Sequence, residues 1–341
     1  MEKSTQISSQ LRTTLLYLIV MFQACAGIIF SVPAYAQTTL KLGHVAGPNG
    51  PIGRAGFRFQ ENLEAISNGN MRVDVHTGGT LGGIRDLWAQ MQIGVVDMQV
   101  IDLSAFSLLK AAQSVQVVLV PYLFEDQTHF REFAESDLLI SMLKDIETET
   151  NIKYLGIMED RAPRIISTTG RPIKTLSDVV GLKIRVPPHP MFIDVFKNWG
   201  AVPTPLPPAE LFTSLKTGIV EAEDNGIVNL ANGSLSDVIK HVSPIDWSRS
   251  GVAAWISVPT WSKLSKQEQT WVAEAAKKSA RESKAEYQPR MEEAMEILVK
   301  KNINIVKIDQ EEFRKTSRVI EDKYAEYWPS GLPGKIRQLA R

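Results

Sequence analysis

Residues 71–102 read MRVDVHTGGTLGGIRDLWAQMQIGVVDMQVID, and the hydrophobic period changes twice within them. Residues 71–77 alternate, which puts Met71, Val73 and Val75 on one face, as in a half-buried strand. Residues 83–94 then repeat apolar side chains at helical spacing, and residues 95–102 return to a strand-like run. A strand, a helix and a second strand with short connections predict a βαβ unit, whose two strands run parallel.

The same two periods alternate along much of the remaining chain. Further segments predicted as strands are TLKLGHV (39–45), NIKYLGIM (151–158), RIISTT (164–169) and KIRV (183–186). Helical spacing recurs in MFIDVFKNW (191–199), in AELFTSLKTG (209–218) and in a long pattern over 265–302 that contains Pro289. This order predicts an α/β protein with mainly parallel sheets flanked by helices, and proline should kink or split the long helix.

The N-terminal segment has the three parts of a secretory signal peptide. Basic residues in 1–12 precede an apolar run of 16 residues, and SVPAYA follows with Ala34 and Ala36 at the cleavage site. An uncleaved anchor helix is the alternative, because the run approaches the length needed to span a bilayer. Cleavage after Ala36 leaves 305 of the 341 residues and removes Cys25, the single cysteine.

Composition narrows the class of function of the exported chain. Its 36 basic and 37 acidic side chains nearly balance, so no nucleic-acid partner is expected. About 300 residues usually form two lobes. The five histidines show no metal-ligand spacing, no motif for a phosphate or dinucleotide is found, and no cysteine remains as a nucleophile. We therefore expect no cofactor, no metal and no catalytic residues.

Arg185 is the residue whose position calls for a function. In KIRV the apolar Ile184 and Val186 point one way, so Lys183 and Arg185 point the other. Ligands of open α/β sheets collect at the carboxyl ends of strands, where Arg185 is predicted to lie. A guanidinium offers a carboxylate two parallel donors and so fixes its orientation. The alternative is a solvated charge on an exposed sheet face.

Several segments resemble one protein family. PRIISTTGRPIKTLSDVVGLKIRVP (163–187) and WGAVPTPLPPAELFTSLKTGIVEAEDNG (199–226) are similar to the solute-binding proteins of tripartite ATP-independent periplasmic (TRAP) transporters, of the dicarboxylate-binding DctP type. KLGHV (41–45), residues 78–98 and LVPYLF (119–124) resemble that family's first lobe. The resemblance covers essentially the whole exported chain.

The resemblance assigns roles to three residues. It implies that Arg185 makes a two-point salt bridge to the ligand's carboxylate, that Arg164 is a second polar contact, and that Asn225 is the asparagine of the family's ligand-contacting loop. EAEDNG (221–226) departs from the family pattern, because Asp224 replaces the usual glutamate and Gly226 the usual proline.

Other candidate site residues rest on position alone. His44, at the end of the first strand, is either a pocket residue or a structural hydrogen-bonding group. Asp102 and Ser104 could bind ligand hydroxyls, and Trp247 is either a cleft wall or core. Arg161 either lines the cleft or pairs with the neighbouring Asp160. By contrast, Trp88 and Trp199 fall on apolar helical stripes and are expected in the core.

Together these patterns predict a two-lobed periplasmic binding protein, similar to type II, with the ligand cleft between the lobes. By resemblance, lobe I is residues 37–160 with 249–290 and lobe II is 161–248 with 291–341. The predicted function is a monomeric periplasmic receptor that binds a small organic acid and delivers it to the membrane subunits of a TRAP permease. The alternatives are a periplasmic enzyme acting on a carboxylated substrate, with His44 as general base, and a binding protein of an ATP-driven transporter.

Overall fold

The alternating segments of the sequence fold into two mixed β-sheets with helices around them. The computed structural model describes residues 37–340, and Thr38 onward forms one compact unit. The predicted signal peptide, residues 1–36, lies outside the described residues. Among the described residues, no helix combines the length and apolar character needed to cross a membrane.

The chain up to residue 160 supplies most of the first sheet. Its elements are β1 (Thr38–Gly43), α1 (Pro51–Ile66), β2 (Met71–His76), α2 (Ile84–Gln92), β3 (Met98–Asp102), α3 (Gln127–Glu135), α4 (Asp137–Thr150) and β4 (Ile152–Asp160). Two 3₁₀ helices, Leu103–Leu108 and Lys110–Leu119, follow β3. The βαβ unit predicted in residues 71–102 is thereby confirmed.

The middle of the chain builds the second sheet. Its elements are β5 (Arg164–Thr168), β6 (Lys183–Val186), α5 (Pro190–Asn198), β7 (Val202–Pro205), α6 (Pro208–Lys216), β8 (Ala222–Gly226), α7 (Ile227–Ala231) and β9 (His241–Ser243). Short 3₁₀ helices cover Leu176–Val179 and Ser234–Asp237.

The last part of the chain adds one strand to each sheet. Its elements are β10 (Gly251–Ser257), α8 (Val258–Lys263), α9 (Lys266–Lys300), β11 (Asn304–Ile305), α10 (Gln310–Lys315), α11 (Ser317–Lys323), a 3₁₀ turn at Ala325–Tyr327 and α12 (Leu332–Arg337).

Strand order explains where the prediction of parallel sheets holds. The first sheet has the order β2-β1-β3-β10-β4 and the second has β11-β9-β5-β8-β6-β7. β1 pairs in parallel with β2 and β3, and β6 pairs in parallel with β7 and β8. β5 and β10, which follow the crossings of the chain between the sheets, pair antiparallel with their neighbours. The sheets are therefore mixed.

The long helix α9 contacts elements of both sheets. It begins at Ser265 with a capping box, in which Ser265 and Glu268 bond each other's backbone. Pro289 lies inside the helix without splitting it. Ser283 accepts a hydrogen bond from the backbone of β4, whereas Leu298, near the other end, packs in the core of the second sheet.

The cores also bear on two sequence predictions. Trp88 and Trp199 are buried, as their helical stripes indicate.

Near the C-terminus, the Ile336 carbonyl bonds the His129 ring of α3, while Thr316 bonds the Trp199 indole beside α5. The C-terminal residues thus contact helices of both sheets. The lobe boundaries, 37–160 with 249–290 and 161–248 with 291–341, stay a prediction.

Candidate functional site

A cleft of about 400 Å³ opens between the strand ends of the two sheets. From the first sheet it is lined by residues 45–50 after β1 and by the end of β3. From the second sheet it is lined by the end of β6, the end of β8 and the start of β5. β5 runs antiparallel to β8, so its first residue, Arg164, is the Cα partner of Gly226 at the end of β8. Strand direction therefore brings Arg164 to the same edge as Arg185.

Arg185 is buried but incompletely bonded. Only 3% of the residue is exposed, and its Nε donates to the Leu206 carbonyl at 2.9 Å. Its two terminal nitrogens have no hydrogen bond within the described residues, and the side chain lines the cleft. Burial lowers the pKa of Arg185 to about 10, partly offset by Glu223, so the guanidinium remains charged at neutral pH. A carboxylate entering the cleft can meet both free nitrogens at once.

Arg164 is held by a chain of contacts that runs into the protein interior. Its Nε donates to Asp224 Oδ2 at 2.9 Å and its Nη2 to the Asp224 carbonyl at 2.7 Å. The other carboxylate oxygen of Asp224 accepts from the Trp247 indole at 2.9 Å. The Arg164 guanidinium also lies 4.6 Å from the centre of the Phe192 ring, a cation–π contact.

Arg161 and Asp102 line the cleft and join the two sheets there. Arg161 donates to Asp102 at 2.7 Å and to the Asn225 side chain at 2.9 Å. Asp102 also accepts from the Ser104 backbone and hydroxyl and from the Ser250 hydroxyl. Burial raises the pKa of Asp102, but Arg161 and the two serines outweigh it and keep that pKa below its usual value. Each of these groups already has a partner.

Two predicted site residues do not line the cleft. His44 directly follows β1, but it is 1% exposed, and its ring nitrogens have no partner at hydrogen-bonding geometry among the described residues. Burial lowers its pKa to about 4, and the nearby backbone of Ala46 offsets this in part. Of the two alternatives for Trp247, the structure has the core: its ring is fully buried and packs edge-on against Phe196 and Trp199. Its role in the structure is to hold Asp224.

The alternative pairing of Arg161 with Asp160 is not found. Asp160 instead accepts from Arg131 Nε at 2.9 Å and from Gln127 at 2.8 Å, on the side of α3. Six of the predicted site residues thus line the cleft: Arg161, Arg164, Arg185, Asp102, Ser104 and Asn225.

The remaining lining includes an apolar wall and a polar rim, neither of which was predicted from the sequence. The wall includes Ile84, Leu108, Phe192, Leu211 and Phe212, and the rim includes Asn49, Asn229, Asn232 and Ser234. Phe192 and Leu211 lie on the apolar stripes of α5 and α6, so their spacing indicated burial without indicating a cleft. Within residues 37–340, no group of three or more metal-ligating side chains could hold an ion.

One glycine near the site is required by close packing. A Cβ on Gly226 would lie 2.8 Å from both the Cβ and the carbonyl oxygen of Ala162. The end of β8 therefore passes against residue 162 where any larger side chain would displace the backbone. This accounts for a glycine directly after Asn225.

A family profile matches the chain that forms this cleft. The profile of "Bacterial extracellular solute-binding protein, family 7" matches residues 42–329, most of the chain. The chain belongs to this family. It is therefore a solute-binding protein and not an enzyme, and the resemblance to TRAP solute-binding proteins is confirmed.

Individual relatives of this family 7 protein agree in sequence and fold. A solute-binding protein of Roseobacter denitrificans is 30% identical over 295 residues, which cover 86% of this chain and 89% of the relative. The structure of that organism's TRAP solute-binding protein, with bound L-galactonate, has a TM-score of 0.79 at 27% identity over 89% and 99% of the two chains. A Bordetella TRAP protein, with density interpreted as pantoate, has a TM-score of 0.82 at 25% identity over 89% and 100%.

Proposed function

We propose that this protein is an extracytoplasmic receptor that binds one small organic acid through Arg185 and hands it to the membrane subunits of a TRAP permease. The observation that carries the proposal is the free end of Arg185. A buried cation without a complete set of partners costs several kcal/mol, which an anionic ligand offsets. Membership of the family supports the role in transport, and the positive charge of the guanidinium indicates that the ligand is negative.

The groups around Arg185 suit a ligand whose carboxylate end is bound by this arginine. Asn225, beside Arg161, is half-buried and lines the inner part of the cleft. Phe192 and Leu211 offer an apolar wall for the carbon skeleton, and the asparagines at the rim can bond polar groups farther out. L-Galactonate and pantoate, reported for two of the relatives, are both hydroxylated monocarboxylates. Hydroxylated acids of that size are accordingly the first ligands to test.

The ligand is tested directly by native mass spectrometry of freshly purified protein. We expect a co-purified acid, released on unfolding, or a rise in the unfolding temperature with one acid from a panel that includes L-galactonate, pantoate and galacturonate. Incubation of the same acids without any change in their mass would agree with a receptor. A panel without binding by any carboxylate, together with tight binding of a neutral or cationic solute, would contradict the proposal.

Export and assembly are the remaining parts of the proposal. The signal pattern in residues 1–36 supports cleavage after Ala36, export to the periplasm and a free protein that begins at Gln37. N-terminal sequencing of the exported protein tests this, because an uncleaved anchor would leave Met1 in the membrane fraction. We also propose a monomer, which light scattering on the purified protein tests; a mass of twice the chain would contradict it.

A further inference from the structure

The cations of the cleft differ in how far they are already neutralised. Among the described residues, three arginines and no lysine line it. Arg161 faces Asp102 at 2.7 Å, and Arg164 faces Asp224 at 2.8 Å. Arg185 is therefore the one lining cation of the described residues that lacks a carboxylate in close contact. A ligand with two carboxylates would find no second free cation.

Glu223 lies beside Arg185 in the second sheet. The two residues are Cα partners in the parallel pairing of β6 with β8, so their side chains share a face of the sheet. Glu223 is fully buried and makes no close ion pair within the described residues. In the described part of the chain, neither of its carboxylate oxygens has a partner at hydrogen-bonding geometry, although the Asn225 side chain is close enough to favour the charged form weakly.

The surroundings of Glu223 are mostly apolar. On the same face, β5 contributes Ser167, whose hydroxyl also lacks a partner within residues 37–340. The helices over this face contribute apolar residues of one core cluster, which includes Leu211 and Leu215 of α6 and Ala294 and Leu298 of α9. The charged groups that act on Glu223 are Arg185 from β6, Arg164 from β5 and Asp224 from its own strand.

In these surroundings Glu223 can gain or lose its proton near neutral pH. Burial raises its pKa to about 7, with Arg185 acting in the opposite direction. When Glu223 is ionised, the three arginines face three carboxylates, Asp102, Asp224 and Glu223 itself. A carboxylate from a ligand would then be a fourth negative group among three positive ones.

We propose that Glu223 sets the charge of the ligand: it shares Arg185 with the incoming group, so the site admits a single carboxylate and binds it together with one proton taken up by Glu223. The proton passes from solvent to a carboxylate oxygen of Glu223, and the ligand stays ionised. Three positive groups then face two aspartates and one ligand carboxylate. This inference rests on the proposed function. It adds that the ligand carries one carboxylate and that Glu223 takes up one proton when the ligand binds.

Three probes with one carbon skeleton separate the charge from the shape of the ligand. L-Galactonate has one carboxylate, galactarate has two and galactitol has none. Binding is measured by calorimetry at pH 6 and pH 8, each in two buffers of different ionisation enthalpy, which reports the protons exchanged. The variant is Glu223→Gln, and the control is Glu221→Gln, an exposed position in the same segment.

At pH 8 we expect L-galactonate to bind the unmodified protein with an uptake approaching one proton, because free Glu223 is then mostly ionised. At pH 6 Glu223 already carries its proton, so the uptake should be close to zero. The affinity of the unmodified protein for L-galactonate should fall by up to about tenfold for each pH unit above neutrality. Glu223→Gln should exchange no proton at either pH and gain more affinity for galactarate than for L-galactonate. Glu221→Gln should match the unmodified protein.

Binding of L-galactonate without proton uptake at pH 8, or uptake that persists in Glu223→Gln, would overturn the proposal. The ligand-free protein offers a second readout in the ¹³C resonance of the Glu223 carboxyl, assigned by its loss in Glu223→Gln. Titration near neutral pH supports the charge role even when none of the probes binds, in which case the proposed ligand class fails instead. Titration of that carboxyl below pH 5 overturns it.

Discussion

At the scale of single residues, the buried Glu223 should make folding stability depend on pH. Its pKa is raised to about 7 in the folded protein, mainly by burial, whereas an unfolded chain leaves it near its ordinary value. Between those two values the folded state binds the extra proton, so the free energy of unfolding falls as pH rises. The loss from pH 4.5 to pH 8 should be on the order of 3 kcal/mol for this group.

Chemical denaturation of the ligand-free protein at pH 5 and pH 8 tests this prediction. Glu223→Gln should lack the part of the pH dependence that comes from Glu223, so that its stability relative to the unmodified protein improves toward pH 8. Glu221→Gln serves as the control and should follow the unmodified protein. A difference between Glu223→Gln and the unmodified protein that is the same at both pH values would show that Glu223 does not titrate in this range.

The residues show which contacts a sequence can predict. The alternation in KIRV oriented Arg185 correctly, because it depends on neighbours in the chain. A similar alternation along residues 40–44 puts His44, directly after β1, on the side of the buried Leu40 and Leu42, which is a signal for burial of this histidine. Trp247 bonds Asp224 across 23 positions of sequence. No local period predicts such a contact, since it depends on how distant segments pack.

At the scale of elements, the end of β8 positions the site through its close packing on residue 162. Gly226→Ala would bring a methyl group within 2.8 Å of the Ala162 backbone oxygen, so the strand end must shift. We expect a loss of about 1–3 kcal/mol in stability and weaker ligand binding, because Asn225 moves with the strand. Gly170→Ala is the matched control, since its Cβ would meet nothing within 4 Å.

Thermal unfolding and calorimetric affinity of both variants check this prediction. A Gly226→Ala protein as stable as Gly170→Ala and with unchanged affinity would contradict it. Elements of this kind were predictable where each hydrophobic period persists for the length of a strand or helix, as in the three successive segments of residues 71–102. The antiparallel pairings of β5 and β10 were not, because strand partners lie far apart in sequence and either direction satisfies the same alternation.

At the scale of the whole molecule, the cleft is made by groups from both sheets that come close together. A Cβ on Gly50, before α1, would lie 3.4 Å from the Asn229 side chain of α7. A ligand on Arg185 needs a route to that position, so we expect the free protein to open and the bound protein to close. Small-angle scattering should show a smaller radius of gyration with saturating ligand.

The control for closure is the same ligand added at the same concentration to Arg185→Lys, which should show a smaller change. An identical scattering profile with and without ligand, while calorimetry confirms binding, would argue against a hinged receptor.

The grip of Arg185 on a carboxylate is the central claim, and Arg185→Lys tests it most directly. Lysine keeps the charge but loses the two parallel donors, and a hydrogen bond to a charged group contributes about 1.5–3 kcal/mol. Calorimetry with the acid found by mass spectrometry should therefore show an affinity about ten- to a hundredfold weaker, with little change in ligand-free thermal stability. Arg171→Lys, an exposed position of the second sheet's periphery, should bind normally. Normal affinity in Arg185→Lys, or a large loss of its ligand-free stability, would contradict the claim.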